Sequence, residues 1–96
     1  MTTLTDLTRD YRAALLRYLP RQEEAALSTG YTIGRAAVSA GVSMLVVVDV
    51  HHQVLQEICA NSTPEQVPAV LASSAAFLIE VLGPFDMTQR GLLSGQ

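Results

Sequence analysis

Between positions 26 and 37 the chain places small residues at helical intervals: Ala26, Gly30, Gly34 and Ala37. Glycine inside a soluble helix costs roughly 1 kcal/mol relative to alanine. A row of small side chains removes bulk from one helix face, so another helix backbone can approach closely and recover that cost by packing. This predicts close helix packing at Ala26, Gly30 and Gly34, within the chain or across a dimer. The competing reading is a helix broken at Gly30 or Gly34, or a tolerant surface. Leu27, Tyr31 and Val38 border the stripe and would complete an apolar face.

The rest of the chain also reads as helices. Leu4, Leu7, Tyr11, Ala14, Leu15 and Tyr18 recur at three- and four-residue spacing, with Thr5 and Asp6 as cap candidates. Arg9, Arg12 and Arg17 fall elsewhere on the wheel. The first helix should end near Leu19, and Pro20 suits the first turn of a second, running from about Arg21 to Ala40. Glu23 and Glu24 sit well for its dipole, and Gly41 suits its C-terminal cap. Ser43 can cap a third helix, Met44 to Ala60. Its start, Leu45-Val-Val-Val-Asp-Val, would also pass as a buried strand. No second strand candidate exists to pair with it, and Leu45, Val48, His52, Leu55, Ile58 and Cys59 keep helical spacing. Helix is therefore expected.

Thr63, Pro64 and Glu65 make a start signal for a fourth helix carrying Val67, Val70, Leu71, Phe77, Leu78, Val81 and Leu82. Ala69, Ala72, Ser73 and Ala76 form a second small-residue row on another side. Gly83-Pro84 should end that helix, and a fifth, short exit helix should follow, with Phe85, Thr88 and Leu92 on one side, before the chain frays beyond Gly91. The expected organisation is a bundle over residues 1–83 and an exit helix or linker over 84–96, such that a cut at Gly83 leaves the bundle folded.

Ninety-six residues support one small domain whose core could need a partner chain. Aromatics make up only 5% and tryptophan is absent, so the core must come from aliphatic residues, which suits helix-on-helix packing. Net charge is -3 and the basic residues are scattered, which argues against nucleic acid as a partner. The first residues lack a signal-peptide pattern, and the strongly apolar run from Met44 stops at Asp49, well short of the ~20 residues that span a bilayer. A cytoplasmic domain without a membrane partner is the expectation.

Chemistry has little to work with. Cys59 is the single cysteine, which excludes a cysteine-based zinc site. His51 and His52 are adjacent, so on a helix they point about 100° apart and cannot grip one ion. Both are read as structural, hydrogen-bonded or half exposed at a helix interface. No catalytic, metal or cofactor site is expected, and so no enzyme. Glu80, inside an apolar run, is either a buried carboxylate or a charged spot on a contact surface beside Leu78 and Ile79.

Three stretches carry a resemblance: Tyr11-x3-Leu15-x2-Tyr18, Val50-His-His-x-Val-Leu-x-Glu57, and Phe77-Leu-Ile-Glu-Val81 with the tail Pro84-Phe-Asp-Met-Thr-x-Arg-Gly91. Together they resemble the N-terminal domain of RsbU-type phosphoserine phosphatases. The resemblance implies an all-α, four-helix KaiA/RsbU-like bundle, dimeric, with no cofactor. It further implies binding of a switch kinase, RsbT, that activates an attached phosphatase in sigma-factor stress signalling. By the same resemblance, Glu24 and Ile79 fall on the partner surface, with Glu80 beside the second. Ser28 stands where the family has an aromatic, and Gly83 where it has an apolar residue. A different partner, or dimerisation alone, remains open at this point. So does an alternative function: sensing of an apolar small molecule held between helices beside Gly30 and Gly34.

Overall fold

The computed structural model describes residues 4–94, without the side chains of 92–94. Four helices follow one another: α1 (Leu4–Tyr18), α2 (Glu24–Ser39), α3 (Met44–Ala60) and α4 (Val67–Ser94). No strand occurs among the described residues. Short loops turn the chain back at each step, so the course is up, down, up, down. Tyr11 meets His51 and Arg12 reaches Glu57, which puts α1 and α3 side by side and parallel. Gly30 lies against Phe77, and Gly34 against Val81 and Pro84, which does the same for α2 and α4.

The core is aliphatic with a small aromatic centre. Tyr11, Leu15, Val47, Val54, Phe77 and Val81 are wholly buried. The α1 face is the expected one except for Leu4, which lies out in solvent. In α3 the row whose spacing marks the helix is not the row that is buried. Val47, Val50, His51 and Val54 point inward, whereas Leu45, Val48 and His52 are exposed. Both rows have helical spacing, and the apolar start of α3 gives periodicity no contrast to choose between them.

Loop chemistry explains the remaining boundaries. Thr5 and Asp6 lie inside the first turn of α1 rather than before it. Residue 3, where a cap would stand, lies outside the described residues. Pro20 does not open α2. Gln22 takes a left-handed backbone (φ 50°), its N–H bonding to the Tyr18 carbonyl at 2.8 Å and its side-chain amide to that of Leu19. This closes α1 as a C-terminal cap would, and α2 starts at Glu24. Gly41 ends α2 at φ 73° in a Schellman arrangement, with Val42 N–H on the Ala37 carbonyl (3.0 Å) and Gly41 N–H on that of Val38 (3.1 Å). Ser43 caps α3 by accepting the Leu45 N–H at 3.1 Å. Ahead of α4, Gln66 rather than Glu65 completes the start signal, its side-chain oxygen accepting the Thr63 N–H at 2.9 Å.

The expected break at Gly83-Pro84 does not occur. Helix α4 passes through both residues and continues to Ser94, so no separate fifth helix forms; Gly95 and Gln96, where the chain was expected to fray, lie outside the described residues. Proline inside a helix removes one N–H and crowds the preceding turn. Part of that crowding falls on the Cβ of the residue before it, and here that residue is glycine. Pro84 is itself buried, its ring turned toward Gly34. Tertiary packing thus holds a helix that local signals would end. At about 1.5 Å per residue its 28 residues span about 42 Å, which sets the 49 Å long dimension of the molecule.

Candidate interaction surface

The α2–α4 crossing is the closest in the bundle. Ala26, Gly30, Gly34 and Ala37 are the buried residues of α2. A Cβ added at Gly34 would fall 2.0 Å from the Val81 carbonyl oxygen, and one at Gly30 would fall 2.9 Å from the Phe77 ring. The space beside both glycines is therefore filled by α4, and no ligand gap lies there.

On the outside of this crossing, Glu24, Ser28, Tyr31 and Arg35 fall along one row of α2, and Glu80, Gly83 and Met87 along one row of α4. The rows meet where the Tyr31 hydroxyl donates to the Met87 sulfur at 3.6 Å. The Tyr31 ring covers Gly83, where an added Cβ would sit 3.8 Å away. Pro84, Met87 and Thr88 then line an open groove of about 330 Å³ with Tyr31, Arg35 and Val38. Glu24 is exposed at the first turn of α2, Glu80 is half-buried, and Ile79 is 71% exposed. Neither glutamate makes an ion pair among the described residues, and neither does Arg35.

Ile79 belongs to a wider outward face of α4. Ala69, Ala72 and Ala76 are exposed, as are Leu71 and Met87, so the second small-residue row looks outward. Residues Val67–Gly91 are long and apolar enough to cross a bilayer by length and composition. A helix that stopped at Gly83 would fall short of that length, and it is the continuation through Pro84 that supplies it. In this fold its Phe77, Val81 and Pro84 side is taken up by α2.

On the far side, α1 and α3 are joined twice. Arg12 forks onto Glu57 (Nε–Oε2 2.9 Å, Nη2–Oε1 3.0 Å), which holds the Glu57 carboxyl below its ordinary range and raises the guanidinium further. Deeper in, the Tyr11 hydroxyl and His51 Nδ1 are 2.6 Å apart. Burial pushes the Tyr11 hydroxyl up, and burial followed by the charge of His52 pushes His51 down. His51 is thus a neutral core residue and His52 an exposed one. Sequence reasoning missed this pairing, although Val47, His51 and Val54 share helical spacing. Cys59 is partly buried, and no three His, Cys, Asp or Glu side chains gather around one point among the described residues.

These surfaces define a small helical bundle in which an apolar exposed face of α4 lies beside a seam that carries unpaired charges. The family model for the N-terminal domain of phosphoserine phosphatase RsbU matches residues 9–88, and the chain belongs to that family. That domain is the regulatory part of such a phosphatase and not its catalytic part. No curated protein and no solved structure matches the chain.

Proposed function

We propose that this domain works as a cytoplasmic dimerisation and protein-binding module that controls an attached or separate phosphatase in sigma-factor stress signalling. The observation that carries the reading is the outward face of α4. Leu71, Ile79 and Met87 are exposed on the same helix that α2 grips through Gly30 and Gly34. Exposed apolar patches of this kind mark contact sites on small domains. A switch kinase of the RsbT type would dock across the α2–α4 seam, touching Glu24, Ile79 and Glu80. A second copy would cover the Ala72–Ala76 side of α4. The missing aromatic at Ser28 makes the α2 half of the seam flatter, so the partner should complement it with bulk of its own.

Sedimentation at micromolar concentrations tests the dimer, and a monomer throughout would remove that part. A pull-down with switch kinases, repeated for Glu24→Lys and Ile79→Glu, tests the seam. Both variants should fold like the wild type, because both positions are exposed, and both should lose binding. Undiminished capture by the two variants would rule this surface out.

A further inference from the structure

A single run of contacts links all four helices through the centre of the bundle. His51 on α3 meets the Tyr11 hydroxyl on α1, and the two rings pack edge to face with centroids 5.6 Å apart. Tyr11 meets the Phe77 ring of α4 edge-on at 5.4 Å, and Phe77 fills the notch at Gly30 of α2. Tyr11 and Phe77 are wholly buried and His51 nearly so. No buried side-chain nitrogen or oxygen among the described residues lacks a partner. The hydrogen bond between Tyr11 and His51 thus pins two helices together, whereas Ser74, the other buried polar side chain among the described residues, bonds within α4.

We propose that the Tyr11–His51 pair is a proton-sensitive latch, which holds α1 and α3 onto α4 while His51 is neutral and releases them when His51 is protonated. The donor count gives the reason. A buried hydroxyl must place its hydrogen on an acceptor, and the acceptor available to Tyr11 is the Nδ1 lone pair. The neutral tautomer that fits carries its proton on Nε2. Protonation makes Nδ1 a donor that can at best point at the hydroxyl oxygen, and the tyrosine hydrogen loses its acceptor. A buried donor left unmade is costly, and an added buried charge more so. Through Phe77 the disturbance reaches the helix that carries the exposed face.

Few other charges bear on the pair. From α1, Arg12 is tied to Glu57 at the surface, and from α3 the neighbouring His52 opposes a second positive charge. From α4, Ser74 is buried but donates to the Leu71 carbonyl at 3.0 Å, and α2 offers the core only its small residues. Among the described residues, no carboxylate bonds to His51 to steady an imidazolium. The sign follows. Burial holds the folded His51 below the unfolded value of 6.5, so its share of stability is full above about that pH. That share is lost as pH falls toward the folded value.

Nothing in this latch depends on what binds α4, so its test stands apart from any binding assay. Thermal melts and amide-exchange protection would be compared at about pH 7.5 and about pH 5.5, across the range where histidine titrates. Wild type and His52→Gln should both show a lower melting midpoint and weaker α1 and α3 protection at the acid pH. In His51→Gln the acid drop should vanish. An acid drop of undiminished size in His51→Gln, or its absence from the wild type, would overturn the latch. Should His51→Gln fail to fold, ring NMR of the wild type decides: the His51 midpoint should lie below the ordinary 6.5, with α1 and α3 amide protection weakening over the same pH range. A midpoint at or above 6.5, or protection that does not follow it, would overturn the proposal.

Discussion

Gly34 is where one atom decides the most. An alanine methyl there would fall on a backbone oxygen of α4, which no rotamer change can move aside. Alanine brings a helix-propensity gain of about 1 kcal/mol, but overpacking a fixed backbone contact costs about 1–3 kcal/mol. With the oxygen only 2.0 Å away the upper end of that cost applies, so Gly34→Ala should destabilise by about 2 kcal/mol net in urea melts. Gly91→Ala is the control, since nothing lies within 4 Å of its added carbon. It should leave stability unchanged or raise it by up to about 1 kcal/mol. The same scale holds for Tyr11→Phe, which keeps the ring but strands the Nδ1 acceptor of His51. Leaving one buried partner unsatisfied costs about 1–3 kcal/mol, readable as a shifted denaturation midpoint at neutral pH.

At the scale of elements, caps were legible and faces less so. Gly41 and Ser43 carry turn chemistry that local sequence states outright, and both perform it. Gly41→Ala should cost about 1–2 kcal/mol for forcing a side chain into a left-handed backbone, although no neighbour would touch its methyl. Ser43→Ala should cost about 1 kcal/mol, read by chemical denaturation. The inward face of α3 was not legible, because a helix apolar on several sides carries no contrast. Partners on α1 and α4 select Val47, Val50, His51 and Val54. Helix α4 shows the opposite failure. Its Gly83-Pro84 signal is real chemistry, but burial of Pro84 beside Gly34 overrides it.

For the whole molecule, that continuity reverses one expectation. A cut after Gly83 would remove Pro84 from the α2 contact and Phe85 from the edge of the core. The truncated chain should unfold at lower temperature and less cooperatively than a chain cut after Gln89. Equal melts for the two would show that the bundle closes before Pro84.

By itself the sequence determined the helical class, the extents of α1 and α3 to within a residue or so, the caps at Gly41 and Ser43, and the small-residue face of α2. These follow from interactions within a few residues, which periodicity and turn chemistry record. Tertiary structure alone decided that α4 fills the notch at Gly30 and Gly34, that α3 turns His51 rather than His52 inward, and that a proline continues a helix. Each of those depends on residues distant in the chain, and only packing brings them to the same point.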